Sequence, residues 1–427
     1  MKRLHFISLL LALVIGLSGV GSIPALASAP GADQVHETVV KEADAKVTFW
    51  VFGAEWEQVL KILDNDWNPN HPDFQIYGIH IVGSADECFQ KLSAAFAGGS
   101  GPDIFSMSAT DIVKYVESGI AMDLDKWFRP NIDDYYPPSV EAVTFDGKIY
   151  ATPSNMDLLA LFYNKDMLEE AGLEPPTTWA ETIETAKALT TDTQYGLAIT
   201  TLENGYQNFE FYPFVWMNGG DVMSPDRKTV TVNSEATLKA YGFYRDLINS
   251  GAVNRSVSEN EAAMSFLMGG SAMVFSGSFV IPYIMALVPD LNYGIAPFPV
   301  PEAGMASVSD AGGWRYMVST RGNYAEECGE FLNWLTNGDV KYQVQICEAC
   351  IKFSPRKSVR DAMPEYYQQF PYNYFSEEIL PLAGMEPAFP AAVVKAFGEG
   401  LQKAMFTNEP LEDIVAEVEE KCLKGIE

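Results

Sequence analysis

Histidine is scarce, and the catalytic signatures that depend on it are missing. The chain has 427 residues and four histidines, of which only His36, His71 and His80 lie beyond its first stretch. There is no H-E-x-x-H, so the standard zinc-protease arrangement is excluded, and no G-x-S-x-G elbow. Gly98-Gly99-Ser100-Gly101 is rich in glycine but lacks the Lys-Ser/Thr of a phosphate loop, and it reads as a helix stop and turn. Positive charge is short as well: 28 basic residues face 57 acidic ones, a net charge of −29, which repels nucleic acid and anionic lipid. The five cysteines are an odd number. Cys347 and Cys350 form a C-x-x-C, but the second pair that a zinc site needs is absent. The motif also falls late in an apparent helix, where a thioredoxin-like site would open one. A structural disulfide or two buried thiols remain, and no metal or cofactor is expected.

Long apolar runs are limited to one. Lys2 and Arg3 precede an apolar stretch from Ile7 to Val20, and Ala25-Leu26-Ala27 offers a small-residue cleavage site. This is an export signal over residues 1–27, too short to span a membrane comfortably, with a mature start near Ser28. No cysteine lies near that site, so the usual lipoprotein acylation has no target. The expected location is periplasmic or otherwise extracytoplasmic. Without the signal the chain carries 26 basic and 57 acidic residues, a net charge of −31. That is the surface of a solvated exported protein; a polycationic ligand is the sharper alternative. A hydrophobic content of 48% allows a large core, and an aromatic content of 12% supplies flat apolar faces beyond what a core needs.

Residues 28–44 read as a flexible lead-in. The run from Lys46 to Phe52 then reads as a buried strand, and Trp56, Val59, Leu60, Leu63 and Trp67 recur at helical spacing. Further strands are expected at Phe74–Val82, Ile104–Met107, Leu158–Tyr163, Gly196–Ile199, Ala272–Phe275 and Tyr293–Ala296, with helices between them. Thr178 and Glu181 form a capping-box pattern, and Phe211–Met217 is helix-compatible. From Tyr324 onward the pattern is mainly helical. Strands alternating with helices imply a mostly parallel sheet covered on both faces.

In such sheets ligands sit beyond the carboxyl ends of the strands. Trp50, Phe52, Glu55 and Trp56 lie at the end of the first strand, and Ser106 and Ser108 at the end of the third. Asn155 and Asp157 open the second unit; Phe279, Trp314 and Arg315 follow later strands. Aromatic rings stack on the C–H faces of sugars, while carboxylates, amides and guanidinium groups pair with hydroxyls.

The chain resembles the bacterial extracellular solute-binding proteins of carbohydrate ABC importers, the maltose-binding-protein-like group. The resemblance rests on ordered landmarks: Ala97-Gly98-Gly99-Ser100-Gly101-Pro102-Asp103-Ile104, then Asp146-Gly147-Lys148-Ile149-Tyr150-Ala151-Thr152-Pro153. Leu161-Phe162-Tyr163-Asn164-Lys165-Asp166 with Pro175-Pro176-Thr177-Thr178-Trp179 follows, then Ala272–Gly277 and Gly312-Gly313-Trp314. It implies an α/β, two-lobed periplasmic-binding-protein fold of type II, with interleaved lobes around a central ligand cleft. The implied lobes are residues 45–153 with 313–361, and 154–312 with 362–427. The resemblance carries sugar contacts to Trp50, Phe52, Glu55, Ser108, Asp157, Phe279 and Trp314. Two positions depart from it: Ser278-Phe279 replaces the commoner Pro-Trp, and Arg315 stands where a small or apolar residue is usual. Arg315 could meet an acidic sugar or a neighbouring carboxylate. The function implied is capture of a sugar or oligosaccharide by a monomer that docks on ABC permease subunits, without catalysis and without nucleic acid. Other binding readings are a polyamine or a metal chelate, the latter suggested by Tyr366-Tyr367; a polysaccharide-processing enzyme is the competing class.

Overall fold

The structure is a computed structural model that describes residues 36–83, 85–108 and 111–426. The expected export signal, and the lead-in up to Val35, lie outside the described residues. Two main sheets carry the fold, and the chain visits each of them more than once. Strands β1 (Val47–Val51), β2 (Ile76–His80), β3 (Ile104–Met107), the short hairpin β4 (Thr144–Phe145) and β5 (Lys148–Ile149), and β6 (Thr152–Pro153) come first. Then follow β7 (Asp157–Asn164), β8 (Tyr195–Ala198), β9 (Ser271–Gly277), β10 (Tyr293–Ala296), β11 (Ser309–Gly312), β12 (Arg315–Val318) and β13 (Ala383–Met385). The first sheet has the order β2-β1-β3-β12-β6. Its first three strands are parallel, while β12 runs antiparallel to both β3 and β6. The second has the order β13-β11-β7-β9-β8, with β10 also on β7.

Strand β7 shows why the second sheet is covered on both faces. Leu159 and Leu161 enter one core with Phe214, Tyr244 and Phe275, while Leu158, Ala160 and Phe162 enter another with Phe353 and Phe375. Successive residues of a strand point to opposite faces, so this continuous apolar run fills both. The first sheet packs Phe49, Phe105, Tyr316 and Phe331 into a third core. The Thr178 capping box forms as its spacing predicts, with both reciprocal hydrogen bonds. The helix expected over Phe211–Met217 runs instead from Gly205 to Trp216, because Asn204 caps it: Asn204 Oδ1 accepts from the Gln207 amide at 2.8 Å.

The lead-in differs from expectation over its described part. The Thr38 amide donates to the Gly78 carbonyl at 2.9 Å and the His80 amide to the His36 carbonyl at 2.8 Å. β2 is an edge strand with unpaired backbone groups, and this segment supplies their partners.

Three segments pass between the two lobes. The first joins β6 to β7, and the second is Gly313-Trp314 between β11 and β12. The third leaves the helix Val340–Cys350, which gives Ile346 and Cys350 to the first lobe's core; Phe353 and Val359 already pack in the second lobe. The chain therefore returns to the second lobe before Asp361. The segments are laced together. The Ser154 amide donates to the Trp314 carbonyl at 2.9 Å, and Met156 and Phe353 exchange backbone hydrogen bonds at 2.7 and 3.2 Å. Gly313 has φ +124°, and a Cβ there would lie 2.3 Å from the Asn155 carbonyl oxygen, so only glycine permits this approach.

All five cysteines are free and buried, so Cys347 and Cys350 are two core thiols. Burial pushes the Cys88 thiol up to about 11 and Cys347 to about 12, which suppresses the reactive thiolate. In the native protein none of the five should react with a soluble disulfide reagent in the time that labels all of them in denaturant. A thiol titration with and without denaturant checks this, and rapid native labelling of Cys347 or Cys350 would contradict the packing.

Candidate functional site

A cleft of about 930 Å³ opens between the lobes, directly above the crossing segments. One wall comes from the first lobe: Phe89 and Gln90 of the helix Ala85–Ala97, with Ser108 after β3. The facing wall comes from the second lobe: Tyr206 and Phe209 at the start of helix Gly205–Trp216, and Phe279 after β9. Asp157, Gly312, Gly313 and Trp314 form the floor, where the chain crosses.

The aromatic side chains fall into two groups. On the first-lobe side Trp314 lies 6.1 Å from Phe89 and 6.3 Å from Phe52, ring centre to ring centre. Opposite, Tyr206 meets Phe279 edge-on at 5.6 Å and Phe209 at 5.5 Å. Apolar ring faces therefore border the cleft from both lobes. The position of the Trp314 indole depends on Gly53, which has φ +82°: a Cβ there would come within 2.5 Å of Trp314 Nε1. The Trp314 backbone is held from below, its amide donating to Asn155 Oδ1 at 3.2 Å.

Charge is arranged in two layers. In the floor, Asp157 pairs with Lys352, their side chains 14% and 5% exposed, and accepts from Ser278 Oγ at 2.8 Å. Asp157 begins the second lobe and Lys352 belongs to the third crossing, so this buried pair ties two crossings together. Beneath it Glu55 is fully buried, and neither carboxyl oxygen has a hydrogen bond of good geometry. Burial raises the Glu55 pKa to about 8; its own backbone amide, Lys352 and the Asn155 amide offset this only in part, and Asp157 adds to it. Among the described residues, the cleft lining holds Asp111, Asp157, Glu203, Glu259 and Glu386 against one cation, Lys395. That lysine lies 3.8 Å from Glu399.

Of the residues expected from sequence, Ser108, Asp157, Phe279 and Trp314 meet in this cleft. Glu55 and Asn155 lie buried close to the floor, in contact with Gly53 and Trp314 respectively. The other four lie elsewhere. Phe52, the residue after β1, is 1% exposed in the first core, where its ring lies 6.0 Å from Phe89 and 6.3 Å from Trp314. Trp50 packs half-buried against that core, and Trp56 stacks on His80 at 4.4 Å, at the end of β2. Arg315 is 1% exposed and donates to the Gly313 carbonyl at 2.5 Å. Burial lowers its pKa, and Glu386 and Asp310 oppose that shift, so its electrostatic partners are carboxylates of the protein. Tyr366 and Tyr367 are packing residues: Tyr366 stacks on Tyr372 at 4.0 Å and Tyr367 Oη accepts from the Ser354 amide at 3.1 Å. Among the described residues no three of His, Cys, Asp or Glu gather as a metal site.

Sequence reasoning missed Phe89, Tyr206, Asn208, Phe209 and Glu259. The first sits inside an ordinary amphipathic helix and carries no local signal. The next three follow the Asn204 cap, and that cap, placed before an aromatic helix, was the available signal.

The profile of the bacterial extracellular solute-binding proteins matches residues 61–341. A putative binding protein of Brucella abortus is 28% identical over 296 residues, covering 66% of this chain and 67% of that protein. The arabinooligosaccharide-binding protein of Bacillus subtilis is 23% identical over 303 residues, covering 68% and 69%. Among solved structures, the GacH receptor of Streptomyces glaucescens, studied with acarbose, superposes with a TM-score of 0.77 at 25% identity, over 89% of this chain and 98% of that one. A solute-binding protein of Thermotoga lettingae bound to tagatose has the same fold, with a TM-score of 0.78 at 20% identity, over 90% and 100%.

Glu55 yields a pH prediction. Its folded pKa of about 8 lies above the ordinary 4.5, so the folded protein keeps a proton that the unfolded chain releases. Its contribution to stability is complete below about 4.5 and is lost as pH rises through about 8. Glu55→Gln, which mimics the protonated acid, should flatten stability against pH in that window by about one proton. Denaturant unfolding at a series of pH values measures the slope; an unchanged slope would mean that Glu55 is ionised in the fold.

Proposed function

We propose that this chain, which belongs to the bacterial extracellular solute-binding proteins, captures a saccharide between its lobes and hands it to a membrane ABC permease. The observation that carries the reading is the cleft itself: ring faces from both lobes flank a space rimmed with carboxylates and amides. A pyranose or furanose ring offers C–H faces to the aromatics and hydroxyl donors to the acceptors. The relatives named for their ligands include an arabinooligosaccharide-binding protein and an acarbose receptor, and both names fit a cleft of this size and lining.

A ligand that touches Phe89 and Trp314 on one side and Tyr206 and Phe279 on the other favours the closed arrangement of the lobes. The chain contributes recognition, and the energy for transport comes from its partner. Among the described residues no helix is long and apolar enough to cross a membrane. We read the protein as exported by cleavage near Ser28, as a monomer, without lipidation and without catalysis of its own.

Trp314→Ala tests the stacking role. It removes a ring whose interaction is worth about 0.5–1.5 kcal/mol beyond area burial. With the lost burial, affinity for the cognate saccharide should fall roughly ten- to a thousandfold. The unliganded protein should lose less than the roughly 3–5 kcal/mol of a core Trp→Ala. Calorimetry across malto- and arabino-oligosaccharides, with small-angle scattering for compaction, supplies the measurement. Absence of both binding and compaction with every saccharide would overturn the proposed function; normal affinity with a badly destabilised apo protein would place Trp314 in the core.

A further inference from the structure

Asn208 lies on the helix Gly205–Trp216, lines the cleft and is 2% exposed. Its amide orientation is fixed, because Nδ2 donates to the Val394 carbonyl at 2.9 Å and so ties this helix to the helix Ala391–Phe406. With Nδ2 committed, Oδ1 is the remaining polar atom, and it accepts no hydrogen bond among the described residues. Gly398 stands beside it: a Cβ there would lie 3.2 Å from Oδ1, so the absence of a side chain leaves the oxygen its space. Buried acceptors in native proteins are almost always paired, with protein, water or ligand. An acceptor in the wall of a binding cleft, oriented by one bond and left without a donor, is a reader of ligand hydrogen-bond donors.

The charges around it limit what the donor can belong to. Asp111, Asp157, Glu203, Glu259 and Glu386 line the cleft. Lys352 is engaged by Asp157 and Arg315 lies beneath the surface on the Gly313 carbonyl, while Lys395 in the lining is 74% exposed and 3.8 Å from Glu399. In a walled cleft such a field concentrates, and a second carboxylate or a phosphate would enter against it.

We propose that Asn208 is a specificity-determining residue of the cleft, and that the ligand is an uncharged or amine-bearing saccharide: Asn208 Oδ1 accepts from one ligand hydroxyl or amine, and the carboxylate lining excludes uronic and phosphorylated sugars. This rests on the saccharide reading above and narrows it. It also removes the acidic-sugar option that Arg315 left open in the sequence.

The test is calorimetry on the full mature chain. Neutral malto- and arabino-oligosaccharides are screened first, and the best binder is then compared with its uronic-acid counterpart and with a set of its monodeoxy analogues. Wild-type protein should bind the uronate at least about tenfold more weakly than the neutral sugar and should lose about tenfold or more on removal of one particular hydroxyl. Asn208→Ala should bind the neutral sugar about tenfold more weakly and become indifferent to that hydroxyl, a signature that mere loosening of the helix does not produce. If Asn208→Ala fails to fold, the uronate comparison on wild-type protein still decides. Uronate binding as tight as neutral binding, or an Asn208→Ala that keeps both affinity and hydroxyl discrimination, overturns this proposal and leaves saccharide capture standing. No binding of any saccharide overturns both.

Discussion

Three backbone segments cross between the lobes, and two of them, through Ser154–Met156 and through Phe353, are out of reach of solvent and find hydrogen bonds in the other crossings. Ser154, Asn155, Met156 and Phe353 are all buried, so their peptide groups have no water to turn to. The Ser154 amide finds the Trp314 carbonyl, and Met156 and Phe353 pair with each other. The Asn155 side chain takes the Trp314 amide. This lacing sets the relation of the two sheets and places Asp157 and Trp314 at the junction. In the proposed function, a ligand on those two residues would rest on the hinge itself, and its binding would be coupled to lobe movement.

The same junction concentrates charge that its surroundings barely tolerate. A buried ion pair such as Asp157–Lys352 adds little net stability, but removing one partner typically costs about 3–5 kcal/mol because the other charge is left stranded. Glu55 below it resolves its own burial differently, by holding a proton. Under the cleft, burial and the neighbouring Glu386 push Asp310 well above the ordinary carboxylate range, and the buried Arg315 opposes that only in part. Lys352 and Arg315 are thus drawn into the framework beneath the cleft, and Asp111, Glu203 and Glu259 border the space above. The electrostatic character of the binding surface follows from how the hinge neutralises itself.

Much of the fold was legible in the sequence because its elements carry local signals. The apolar run of β7, the Thr178–Glu181 box and the Gly-Gly before Trp314 each state a backbone preference on their own. The candidate site was legible only in part. Trp314, Asp157 and Phe279 could be placed because they follow strands directly, and the ends of strands point to the cleft. Phe52 and Arg315 lie close to strand ends as well and still turn inward, because the side a residue faces depends on the packing partners that the rest of the fold presents. Phe89 had no local mark, since it sits inside a helix whose cleft-facing turn exists only once the other lobe is there; Asn208 had only the Asn204 cap upstream of it.

The α/β class, the two-lobed family pattern, the lack of H-E-x-x-H and G-x-S-x-G motifs and the acidic character of the chain can all be read from the sequence. These are properties of composition and of short-range backbone preference, which act wherever the chain happens to be. Only the assembled fold settles which aromatics line the cleft and which fill core. The same holds for Arg315, buried against the Gly313 carbonyl, and for the C-x-x-C, which is two buried thiols. Those outcomes depend on side chains far apart in sequence competing for the same buried space and the same few countercharges, and the competition has no result until the crossing segments bring them together.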